Sequence, residues 1–123
     1  MRCIAFVALF LTAAPAFAGD VAQGQALFRR CMACHSADEG VNKLGPSLHG
    51  VFGRTVGAMD GYDASSALQA AGNGGAVWDE DLLSEYIKHP RATFPGTKML
   101  FPGISNADDV ADIIAYLKEI SPE

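Results

Sequence analysis

Cysteine is scarce in this chain of 123 residues: there are three, Cys3, Cys31 and Cys34. Three cysteines cannot build a disulfide framework or a four-cysteine zinc centre. Basic residues are outnumbered, 9 Lys and Arg against 14 Asp and Glu, and the formal net charge is −5. An acidic domain argues against nucleic acid or anionic lipid as a partner. No apolar stretch reaches the ~20 residues that a membrane-spanning helix needs, so no stable membrane insertion is expected. There is no internal repeat and no Ser/Pro linker. Residues 36–61 are rich in Gly and turn residues and lack the period-two alternation of a half-buried strand.

The first segment looks like a leader. Arg2 is a short basic start, Cys3 to Leu11 is an apolar run, and Ala16-Phe17-Ala18 is a small-x-small cleavage pattern before Gly19. Residues 1–18 are therefore expected to be a cleaved signal peptide, with one domain over 19–123. Export would leave two cysteines, Cys31 and Cys34, and would remove Arg2, making the chain more acidic still.

Those two cysteines lie in Cys31-Met32-Ala33-Cys34-His35. A CxxCH run reads as a c-type haem attachment site. Each thiol can add across one porphyrin vinyl group, and the adjacent His presents an imidazole nitrogen to the iron. A thioredoxin-like redox pair would need a βαβ context, which is absent around residue 31. Zinc would need further ligands, and the pool is Cys3, His49 and His89, spread along the chain. A disulfide between Cys31 and Cys34 is the plain structural alternative.

The periodicity is helical wherever it is clear. Asp20 can cap a helix to about Arg30. Asp63 can cap a short helix from Ala64 to Ala71, closed by Gly72. Asp79 can cap Glu80 to Lys88, with Leu82, Leu83, Tyr86 and Ile87 on one face and Pro90 as its limit. Two Pro and two Gly make Phe94 to Gly103 a loop. Asn106 can cap a last helix in which Val110, Ile113, Ile114 and Leu117 follow the i, i+3, i+4, i+7 rule. The expected fold is all-α: three main helices, short helices and long loops wrapped around one covalently bound haem. So much irregular chain needs a large apolar cofactor to complete its core.

A His-ligated iron takes a sixth ligand or stays open. Met32, Met59, Met99, His49 and His89 are the candidates. Met32 sits beside the proximal ligand and cannot reach the opposite face. Met99 follows a Pro-Gly turn and is far enough from His35 in sequence to cross. Any of these methionines could instead fill irregular core.

Beyond these residues the chain resembles class I cytochromes c, especially the small soluble bacterial ones similar to mitochondrial cytochrome c. The anchors are Gly19-Asp20, Phe28, the CxxCH, Leu44 to Arg54, Val77-Trp78-Asp79-Glu80, Pro95-Gly96-Thr97-Lys98-Met99 and Ile113 to Lys118. The resemblance implies haem c bound through Cys31 and Cys34, with His35 and Met99 as iron ligands. His49 and His89 then become structural or surface residues. It implies that the Pro46 carbonyl accepts the His35 Nδ1–H, that Arg54 and Trp78 contact a propionate with Thr97 near it, and that Tyr86 points its hydroxyl toward the Met99 sulfur. Gly24, Phe28, Ile113, Tyr116 and Leu117 would form the crossing of the terminal helices. The chain also departs from the mitochondrial pattern. Ala64 replaces a propionate-binding tyrosine, the segment before Trp78 is longer, and the lysine-rich surface is largely missing.

The function implied is that of a soluble periplasmic one-electron carrier, a monomer and not an enzyme. Its partners would be a cytochrome bc complex as donor and a terminal oxidase, photosynthetic reaction centre or periplasmic reductase as acceptor. Arg30, Lys43, Arg91 and Lys98 would ring the exposed haem edge. Two other classes would use the same motif: an electron-transfer subunit held by a periplasmic dehydrogenase, and a haem enzyme or ligand-binding protein with a labile distal Met.

Overall fold

The computed structural model describes residues 7–11 and 19–122. The Ala16-Phe17-Ala18 cleavage pattern lies outside the described residues. The described residues form five helices, in order α1 (Val21–Phe28), α2 (Ser66–Asn73), α3 (Glu80–Lys88), α4 (Pro90–Thr93) and α5 (Ala107–Glu119). Among the described residues the β pairing is one isolated antiparallel bridge, Thr55 to Val77. The all-α expectation is met.

Three helix starts follow local side-chain chemistry. Asp20 accepts from Gln23 N at 3.1 Å, Asp79 from Leu82 N at 2.8 Å, and Asn106 from Asp108 N at 2.9 Å and Asp109 N at 3.1 Å. Each contact satisfies a backbone N–H that a helix start leaves unpaired. Acidic residues fill the first turns of α3 and α5, where the helix dipole favours them.

Two boundaries differ from expectation. α2 starts at Ser66, capped by the Ser65 hydroxyl, which accepts from Leu68 N at 3.2 Å. Asp63 is not its cap, and its carboxylate faces Lys98 and Gln69 instead. Gly72 does not stop the helix either. It lies inside α2, where a Cβ would sit 1.8 Å from the Val56 carbonyl oxygen, so its bareness serves packing. The second difference is at Pro90. Pro90 ends α3 but also begins α4, where its fixed φ suits a first helical position and its missing N–H costs nothing.

The core forms where α1 crosses α5. Gly24 lets the helices touch: a Cβ there would meet the Asp112 carbonyl oxygen at 1.9 Å. Phe28 and Tyr116 stack tilted beside it, with centroids 5.1 Å apart. Asp20 N donates to Asp112 Oδ1 at 2.8 Å and pins the start of α1 to α5. Ile113, Ile114 and Leu117 are buried beneath, each contributing about 1.5–3 kcal/mol. α5 reaches α3 through Lys118 and Glu80, 2.9 Å apart. This frame carries two loops, residues 29–54 after α1 and residues 94–106 before α5, and those loops, with Trp78 and with Tyr86 of α3, hold the site.

Candidate functional site

The chain winds past the end of α1 without a break. Cys34 N and His35 N both donate to the Cys31 carbonyl, at 3.1 and 2.8 Å. One helical turn therefore puts Cys31, Cys34 and His35 on a single face. Both thiols are free and half-buried. Burial pushes the Cys31 thiol up to about 11, against a smaller lowering by Arg30, so it is protonated at neutral pH.

His35 is fixed from behind. Its Nδ1 lies 2.7 Å from the Pro46 carbonyl oxygen. A carbonyl only accepts, so Nδ1 carries the proton and Nε2 keeps its lone pair. Burial lowers the His35 pKa, more than the Pro46 contact raises it, and keeps the ring neutral. The imidazole also packs against Gly45, where a Cβ would come within 2.4 Å of Cε1. The Pro46 contact was legible only through the family resemblance, and the Gly45 contact had no signal of its own.

Arg54 enters the same region. Its guanidinium donates to the Ser47 carbonyl at 2.9 Å and the His49 carbonyl at 2.6 Å. Burial lowers its pKa. It forms no ion pair with a carboxylate among the described residues. A partly buried cation held only by neutral carbonyls suits an anionic group supplied by a ligand.

An aromatic cluster stands beside the Met99 loop. Trp78, Tyr86 and Phe94 pack with centroids 5.1, 5.9 and 5.5 Å apart. Phe94-Pro95-Gly96-Thr97 closes as a turn, with Thr97 N donating to Phe94 O at 3.0 Å. Pro in the second place and Gly96 at φ 88° in the third make it type II. Met99 follows, half-buried against the core, and its N–H donates to Thr97 Oγ1 at 3.2 Å. The Tyr86 hydroxyl bonds to that same Thr97 oxygen. The hydroxyl expected at the Met99 sulfur is thus engaged by Thr97, and reaches Met99 through Thr97 and the backbone. Burial raises the Tyr86 pKa, so its hydroxyl stays protonated.

Of the other candidates, Met32, between Cys31 and Cys34, is exposed, and His89 is an exposed residue between α3 and α4. His49 is engaged through its backbone by Ser47 and Arg54. Met59 lies in the 57–63 loop.

Two thiols and a neutral imidazole on one turn, an aromatic wall and a cation without a carboxylate fit a haem. The profile of the cytochrome c family matches residues 21–121. The chain belongs to the cytochrome c family. It is 42% identical to cytochrome c2 of Blastochloris viridis over 126 aligned residues, covering 100% of this chain and 97% of that one. The solved structure of cytochrome cH from Methylobacterium extorquens superposes with a TM-score of 0.74 at 45% identity, over 82% of this chain and 99% of that one. Cytochrome c2 from Rhodospirillum centenum gives 0.79 at 34% identity, over 85% and 100%. As a member of this family the protein is an electron carrier with a c-type haem. The described residues contain no helix long and apolar enough to cross a membrane.

Proposed function

We propose that residues 19–123 form a periplasmic carrier of single electrons, released from a leader at 1–18. Cys31 and Cys34 would hold its haem covalently, with His35 and Met99 as the residues that would bind the iron. The observation that carries this reading is the fixed, neutral His35 ring with its Nε2 lone pair free. When bound, the haem supplies an iron that cycles between ferric and ferrous states.

The residues around it do the rest. Pro46 and Gly45 hold the His35 ring in one orientation, so the ligand need not move between states. Thr97 holds the Met99 backbone, and the Tyr86 hydroxyl holds Thr97. Trp78, Phe94 and Tyr86 exclude water. A thioether ligand and a dry wall both favour the reduced state. With His35 and Met99 both binding the iron, no place would be left there for a substrate, and the protein would act as a carrier and not an enzyme.

The protein purified from a host that matures c-type cytochromes is expected to carry one haem on a chain beginning at Gly19, by intact mass. Acid–ketone treatment should leave the haem attached. Extraction of the haem would contradict attachment at Cys31 and Cys34.

The partners proposed are a cytochrome bc complex as donor and a terminal oxidase, reaction centre or periplasmic reductase as acceptor, met by a monomer. Of the four basic residues assigned to the haem edge, Lys98 is paired with Asp63 and the Lys43 ammonium donates to the Met32 carbonyl. Arg30 and Arg91 are exposed and make no ion pair among the described residues. Arg91→Glu should therefore slow second-order reaction with the partner by up to about tenfold at low salt. The effect should fade as the Debye length falls to ~10 Å at 0.1 M. The midpoint potential should hold nearly constant, and Asp108→Lys should change the rate little. If Asp108→Lys is the damaging change, the docking face is the acidic one.

A further inference from the structure

The residue beside Met99 is tied to a distant loop. Lys98 Nζ donates to the Asp63 carbonyl at 2.8 Å and lies 3.3 Å from the Asp63 carboxylate, 35 residues away in sequence. Asp63 is itself braced from α2: Gln69 Nε2 donates to the Ala64 carbonyl at 2.7 Å and to Asp63 Oδ1 at 3.4 Å. The same loop is held at Asp60, whose carbonyl accepts from Asn42 Nδ2 at 3.0 Å. Asn42 Oδ1 in turn accepts from Ser47 N at 2.9 Å, and Ser47 follows Pro46, the acceptor of His35. A continuous set of contacts thus runs from the His35 loop, through residues 60–63, to the neighbour of Met99.

We propose that the loop around 60–63 is a tie between the two ligand loops, and that Asp63 is a positioning residue that holds Met99 in place through Lys98. The proposal rests on the reading of Met99 as the distal ligand. The physical reason is direct. For the sulfur to leave the iron, the segment carrying it must swing away. The Met99 backbone N–H is held by Thr97, which Tyr86 ties to α3, so the swing is resisted on that side. The Lys98 contacts cross to another part of the chain and must break. The carboxylate adds charge to one of them. The pair is open to solvent, with the Asp63 side chain 89% exposed and that of Lys98 51%. Its effect is accordingly modest, a roughly two- to fivefold change in an equilibrium.

The test is displacement of Met99 by imidazole in the ferric holoprotein, followed through the near-infrared sulfur–iron band. Asp63→Asn keeps the backbone carbonyl and removes the charge. It should raise the rate and extent of displacement about two- to fivefold at low salt, with the gain shrinking at 1 M salt where the Debye length is about 3 Å. Asp63→Glu should restore most of the protection. Asp63→Asn placed on Lys98→Met should add little to Lys98→Met alone, since the contact is already gone. Unchanged displacement in Asp63→Asn would overturn the proposal. So would an undiminished effect of Asp63→Asn in the Lys98→Met background, which would make the charge act at a distance and not through the contact. The ligand reading is checked in parallel by Met99→Ala. If that variant keeps the band, the ligand assignment and the tie fall together. If it loses the band while Asp63→Asn behaves as native, only the tie falls.

Discussion

Met99→Ala is expected to lower the midpoint potential and open the iron to outside ligands. A thioether favours ferrous over ferric haem, and axial ligand choice alone spans about 0.8 V among haem proteins. Removing the sulfur should therefore move the potential down by a sizeable part of that range. Ala leaves the Thr97 and Tyr86 contacts in place, because Thr97 meets the backbone of residue 99 and not its side chain. The loop should keep its course, and the change should be read as loss of a ligand and not of structure. The near-infrared band should vanish in Met99→Ala and persist in Met59→Ala. The reverse pattern would move the distal ligand to the 57–63 loop.

Gly24→Ala should damage the fold more than its size suggests. The added Cβ would lie 1.9 Å from the Asp112 carbonyl oxygen, 2.6 Å from its carbon and 2.9 Å from the Tyr116 Cβ. Two of these atoms belong to the α5 backbone, which has no rotamer to adopt. α1 must then lift off α5, loosening the Phe28–Tyr116 stack and the Asp20–Asp112 pin. Overpacking of this kind costs about 1–3 kcal/mol, and more where backbone must move. Helix propensity returns at most about 1 kcal/mol for Gly to Ala. A net loss of about 2 kcal/mol corresponds to a fall of roughly 8–16 °C in a domain of this size. Circular dichroism melting of the oxidised holoprotein checks it. An unchanged midpoint would mean that α1 and α5 do not meet at Gly24.

What could be read from the sequence, and what could not, divides by the range of the interaction. Asp20, Asp79 and Asn106 were legible as caps because each bonds a backbone N–H two or three residues away. Asp63 looked like a cap by the same rule, but Ser65 takes that place and Lys98 claims the Asp63 carboxylate from 35 residues off. Gly72 looked like a helix stop, and only the approach of Val56 reveals it as a packing position. Pro90 was legible as an end of α3 but not as the start of α4. In the site, the CxxCH gave the attachment chemistry from spacing alone. The roles assigned to Met99, Pro46 and Arg54 needed the family resemblance, because Met99 carries no local signal and the contacts at Pro46 and Arg54 join side chains to backbone carbonyls that no spacing rule encodes. Asn42, which bonds a carbonyl 18 residues away, left no mark in the sequence at all.

Carbon monoxide tests most directly whether the iron is closed. The native protein is reduced with dithionite, and its absorption spectrum is taken before and after the gas is added. With His35 and Met99 both bound, the spectrum should not change, while that of Met99→Ala should shift to the carbon monoxide form. A prompt shift in the native protein would show an open or labile sixth position, and the protein would then belong with the ligand-binding haem proteins.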